Sequence, residues 1–208
     1  TLEKLGLGYE EMKKVNPEII YASITGFGQT GPLRTNTAYD NVIECMCGFM
    51  EMTGFPDGPP LRSGASVGAS YTGLTMALAI VLACYDKRRT GKGRRLDVAM
   101  LDTMFATIED AVLTYSLTGE LVSRTGNSKS REIVPYDTYD CKDSFFAVGI
   151  TDETMWPAFC EAVEMPELAA DPLYCDNDRR CENYGSFTAL MKEYFRDKPS
   201  SWLLERFN

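Results

Sequence analysis

The chain has 208 residues, 44% hydrophobic and 25% charged, which places it among ordinary globular proteins and outside the collagenous and disordered classes. Thirty acidic residues against 21 basic leave a formal charge of −9, a field that repels phosphate backbones and anionic lipid, so neither nucleic acid nor a membrane is expected as a partner. Histidine is absent, which removes imidazole bases, Ser-His-Asp triads and His-ligated metals.

Along the chain, Leu2 to Lys14 is an amphipathic, Gly-punctuated stretch ending at Asn16-Pro17. Ile19 to Ile24 is a β-branched and aromatic run stopped by Gly26 and Gly28, and reads as a buried strand of an α/β sheet. From Tyr39 to Met52 the positions Val42, Cys45, Met46 and Phe49 have helical spacing, with Asp40 near the N-terminal end where its charge suits the dipole. Gly54 to Pro60 is a rigid loop, and Ser63 to Ser70 a stretch of small residues. A core helix is predicted from about Tyr71 to Arg89, closed by Thr90-Gly91. Its apolar run, Leu74 to Tyr85, falls short of the ~20 residues a membrane helix needs and predicts burial.

Arg95 to Met100 reads as a strand or an abrupt helix entry. Leu101, Met104, Phe105, Ile108, Val112 and Tyr115 then predict a second long helix to Thr118-Gly119. Tyr136 to Asp140 and Phe145 to Ile150 flank a short polar turn and predict a hairpin. Helices are expected at about Asp152 to Val163 and Tyr184 to Phe195, with a last one starting at Ser200. Residues 1–118 are therefore expected to be part of an α/β layer, and 119–208 a linker and a smaller α+β unit.

Seven cysteines, an odd number in a chain of this length, read as buried reduced thiols in a reducing, cytoplasmic compartment. Cys45-Met46-Cys47 and the distant Cys175 and Cys181 form no CxxC pair, so no metal is expected. Gly26-Phe27-Gly28-Gln29-Thr30-Gly31 is a literal GxGxxG after a strand. Pro32 to Asn36 does not open a helix and no second strand ending in an acidic residue follows, so it reads as a tight loop and not a dinucleotide site. Lys87, Arg88, Arg89, Lys92, Arg94 and Arg95 span a helix C-terminus and a turn, the usual place for solvated cations. Asp97 and Asp102 are badly spaced for a shared proton. The chain opens at Thr1 with no recognisable leader and reads as a piece of something longer.

Asn16 to Pro32, then Ala38-Tyr39-Asp40-Asn41, then Arg89 to Met100 with Leu101-Asp102 resemble the family III CoA-transferases, the carnitine dehydratase/bile-acid-inducible protein (CaiB/BaiF) group that also contains formyl-CoA transferase and α-methylacyl-CoA racemase. The resemblance covers essentially the whole chain and corresponds to the middle of the longer family members. It implies a Rossmann-like large domain joined by a long helix to a small α+β domain, an interlocked homodimer, and transfer of coenzyme A between an acyl-CoA and a small carboxylate without a metal. It implies that Thr37, Ala38, Tyr39 and Asp40 line the pantetheine and thiol end of CoA, with Met100 an apolar contact beside them. It also implies a nucleophilic Asp in the small-residue stretch before the core helix, at the position where this chain has Ala69, leaving no intact catalytic residue. Racemase members carry a His where Tyr39 stands, so the transferase reading ranks above the racemase one. A non-catalytic acyl-CoA-binding or partner subunit of the same fold is the alternative.

Overall fold

The β-branched run after Asn16-Pro17 forms strand β1, Ile20–Thr25. It pairs in parallel with β2, Arg94–Ala99, in a register that sets Ile20 against Arg94 and Thr25 against Ala99. The computed structural model describes residues 2–129 and 132–207, and the chain divides into two compact units, Thr1–Arg124 and Thr125–Asn208. Two parallel strands are the whole sheet of the first unit among the described residues. The architecture is mixed α/β, and a pair of strands is too short a series to display a Rossmann-like order.

Helix α1, Tyr9–Val15, sets the Tyr9 ring edge-on to Tyr21 of β1, whose hydroxyl donates to the Leu7 carbonyl. Helix α2, Asp40–Met46, is followed by a 3-10 turn at Met50–Met52. Its inward face differs from the expected one. Ile43, Glu44 and Cys47 are buried, whereas Val42, Cys45 and Met46 face outward. Ile43 and Cys47 pack with Met104 into a small core, joined by Phe27, Ala38, Phe49, Val67, Met100 and Leu101.

The largest departure from expectation is α3, Val67–Thr90. It begins four residues earlier than predicted, is 24 residues long, and is long and apolar enough to cross a membrane by length and composition. It is not a buried core helix within this chain. Only Gly68, Thr72, Met76 and Ala83 are enclosed, a stripe repeating at about one turn, while Leu74 is 69% and Val81 64% exposed and Leu78, Leu82 and Tyr85 also face outward. Gly91 closes the helix in the left-handed conformation that glycine adopts without steric cost, its N–H donating to Lys87 O. The second long helix is also interrupted. Strand β2 passes directly into α4, Met100–Phe105, then a 3-10 turn at Ala106–Ile108, then α5, Glu109–Thr118. Met104 and Ile108 are buried, Phe105 and Tyr115 exposed, so the regular spacing does not line one inward face.

The second unit holds the hairpin β3 (Tyr136–Asp140) and β4 (Phe145–Gly149), then α6 (Trp156–Ala162), α7 (Asn177–Glu182), α8 (Tyr184–Arg196) and α9 (Ser200–Phe207). Phe146 and Val148 alternate inward along β4, and Phe187, Met191 and Phe195 line one side of α8. With Tyr139, Trp156, Phe159 and Leu203 they form one dense aromatic core. Arg180 is enclosed in it. Its guanidinium lies 4.0 Å from the Trp156 ring centroid and donates to Val134 O, Tyr174 O and Glu153 Oε1. The turn of the hairpin is tied to α9: Asp143 Oδ1 accepts from Ser200 N at 2.8 Å and Lys142 N donates to Lys198 O.

Candidate functional site

The loop that leaves β1 delivers residues 37–40 to the start of α2. Gly26 O accepts from Leu101 N, and Gln29 N donates to Asp97 Oδ2 at 2.8 Å, so the glycine-rich loop is fastened to β2 and α4 by its own bonds. Asp97 is thereby a structural acceptor. Ala38 is partly buried and packs against the Ile43–Cys47–Met104 core, as does Met100. Thr37 is exposed, and the Tyr39 ring is largely exposed at the N-cap of α2.

Asp40 does something that spacing alone does not announce. Its Oδ1 accepts from Ala69 N at 2.8 Å, so a carboxylate from α2 satisfies an N–H of the first turn of α3, which otherwise has no partner along its own helix. The approach is close. A Cβ at Gly68 would lie 2.9 Å from Asp40 Oδ1 and 3.3 Å from Met104 Cγ, so a side chain at 68 would displace the Asp40 carboxylate that holds Ala69 N. The structure thus brings together Asp40 and Ala69 directly, and Ala38 and Met100 in the adjoining core. Thr37 and Tyr39 lie at its rim.

Two further residues belong to the same place. Glu44, one turn beyond Asp40, is enclosed, and its two carboxylate oxygens accept from Ser63 N at 2.8 Å and Ser63 Oγ at 2.6 Å. A polar residue between Ile43 and Cys47 was the available signal, and it was masked by the wrong choice of apolar face. Ala69 itself is exposed and carries a methyl group where the resemblance would have a nucleophilic carboxylate.

The enclosed thiol of the same unit offers no substitute: burial pushes Cys47 up, with the Glu44 charge adding to it, so it stays protonated at neutral pH. Among the described residues no group of three or more His, Cys, Asp or Glu is placed to hold a metal ion. Four of the six cations of the basic cluster make local contacts: Lys87 meets Glu18, Arg94 meets Asp86, Arg89 lies over Tyr85 and Arg95 over Tyr9.

The sequence pattern of CoA-transferase family III matches residues 1–208. The chain belongs to that family. Acetyl-CoA:oxalate CoA-transferase of Acetobacter aceti is 38% identical over 205 residues, which span 98% of this chain and 52% of that protein. Succinyl-CoA:glutarate CoA-transferase of Homo sapiens is 33% identical over 203 residues, 97% of this chain and 46% of that protein. Among solved structures, a CaiB/BaiF family protein from Brucella suis superposes with a TM-score of 0.84 at 35% identity, covering 98% of this chain and 54% of the other. The chain therefore spans about half the length of the curated relatives it matches.

Proposed function

We propose that this chain is the central portion of an acyl-CoA:carboxylate CoA-transferase, acting on a CoA thioester and a small carboxylate in a reducing, cytoplasmic compartment. The observation that carries the reading is the family match along all 208 residues. In such a transfer a side-chain carboxylate attacks the thioester carbonyl and expels the thiolate, giving a mixed anhydride. The thiolate then attacks the side-chain carbonyl, releasing the first carboxylate and leaving an enzyme-bound thioester, which the acceptor carboxylate opens by the same two steps in reverse. Residue 69 suits that role by position, being exposed in the first turn of α3, where the helix dipole favours negative charge. Thr37 to Asp40 and Met100 are the proposed neighbours of the pantetheine end.

The outward apolar face of α3 supports a larger assembly, covered by further polypeptide or by a second copy in a homodimer. Sedimentation of the longer protein measures this, and a monomer that floats with liposomes would contradict it.

Ala69 favours a second reading for the chain as it stands. A methyl group cannot form the anhydride, so an acyl-CoA-binding or partner subunit of the same fold is the form of activity this residue allows. The test is Ala69→Asp in the longer protein, incubated with succinyl-CoA and trapped with hydroxylamine. The expected outcome is a hydroxamate on residue 69 of the Asp form and none in the Ala form. An adduct in the Ala form overturns the assignment of position 69.

A further inference from the structure

Asp40 and Glu44 stand one turn apart on α2 and both reach the segment that leads into α3. Asp40 holds the backbone of residue 69. Glu44 holds the lead-in six residues earlier, gripping Ser63 with both oxygens while itself 0% exposed. An enclosed carboxyl is costly to desolvate unless its oxygens are well bonded, and here both oxygens face Ser63, one its N–H at 2.8 Å and the other its hydroxyl at 2.6 Å, with no Lys or Arg in the contact.

The hydrogen count is specific. The Ser63 hydroxyl carries one hydrogen, yet Glu44 Oε1 and Ala65 O each lie 2.6 Å from its oxygen. An amide at position 44 resolves this: its NH2 donates to Ser63 Oγ, the Ser63 hydrogen goes to Ala65 O, and its carbonyl accepts from Ser63 N. Alanine at 44 leaves Ser63 N without its acceptor and opens a void beside Ile43 and Cys47.

We propose that Glu44 is a positioning residue, which through Ser63 fixes the lead-in of α3 and so the place from which residue 69 addresses the acyl group. This rests on the functional reading of position 69 given above. Two measurements separate the clamp from that reading. In the unaltered background, Glu44→Ala is expected to speed amide hydrogen exchange at Ser63 and Ala69 by about tenfold or more, with Glu44→Gln close to the parent. In the longer protein carrying Ala69→Asp, adding Glu44→Ala is expected to slow thioester formation at saturating succinyl-CoA by about tenfold while the half-saturating concentration moves less than about twofold, and Glu44→Gln to restore the rate.

Unchanged exchange at Ser63 and Ala69 in Glu44→Ala overturns the proposal, as does a half-saturating concentration that rises in step with the lost rate. If Ala69→Asp forms no adduct, the functional reading fails and with it Glu44's bearing on catalysis, while the exchange data still decide whether the clamp exists. Should Glu44→Ala not fold, Ser63→Ala, which removes only the hydroxyl, takes its place in both measurements with the same expected direction.

Discussion

The two units of this chain handle apolar side chains in opposite ways. In residues 125–208 the large aromatics Tyr139, Trp156, Phe187 and Phe195 are enclosed against one another, and even a guanidinium is folded in with its donors satisfied. In residues 1–124 the longest helix turns Leu74, Leu78, Val81 and Leu82 outward, and the enclosed side chains that cluster together are the smaller set Ile43, Cys47 and Met104. The second unit carries its own means of stability. The first has apolar surface that calls for a covering element, in keeping with relatives about twice as long.

Substitutions in the two units should separate this contrast. Phe195→Ala should cost about 4 kcal/mol in urea denaturation followed by tryptophan fluorescence, because the side chain is wholly enclosed among Tyr139, Phe146, Tyr194 and Phe207. Arg180→Ala should cost about 3 kcal/mol by the same measurement, since it strands the Val134 and Tyr174 carbonyls in the interior. Leu78→Ala in the isolated chain should change stability by no more than about 0.5 kcal/mol, read by circular dichroism. A cost above about 2 kcal/mol there would break the comparison, and a large cost appearing only in the longer protein would sharpen it.

The smallest effect concerns Asp143. The Ser200 N–H, first among its partners, holds the Asp143 carboxyl below its usual range. A carboxyl depressed in the folded state adds stability above its unfolded value of about 3.9 and loses it as pH falls through the folded value. Asp143→Asn should therefore flatten the decline of the urea midpoint below about pH 4 and leave the neutral midpoint the more reduced of the two. An unchanged acid limb would show that the contact does not couple to folding.

What could be read beforehand follows the same division. Strong alternation and turn residues gave the hairpin 136–149 its place, and Lys198-Pro199-Ser200 the start of α9, because those signals are local. Asp97-Val98-Ala99-Met100 was legible as both strand and helix entry and proved to be both in succession. The short turns at Pro166–Ala170 and Asn177–Glu182 went unpredicted, being one or two turns long and held by caps such as Asp176 on Arg179 N rather than by a stripe of apolar residues. The faces of α2 and α3 were misjudged for a different reason. Hydrophobicity states that a side chain prefers cover and says nothing about whether the cover lies within the same 208 residues. At the site, the resemblance pointed to Asp40 and residue 69, but their direct bond and the Glu44–Ser63 grip depend on a three-dimensional meeting of segments 19 and 29 positions apart.

The register of β1 against β2 bears on how the chain acquires its shape. That pairing, and the Gln29–Asp97 bond 68 positions apart that braces it, must close a long loop before any contact rewards the lost entropy, whereas β3 and β4 meet across four residues. Both tryptophans, Trp156 and Trp202, sit in the second unit, so their fluorescence follows that unit alone. In a refolding time course the tryptophan signal should settle first and the far-ultraviolet signal of α3 later. During synthesis the order is the reverse, because β1, β2 and the segment between them all lie in residues 1–124 and emerge before the second unit is made.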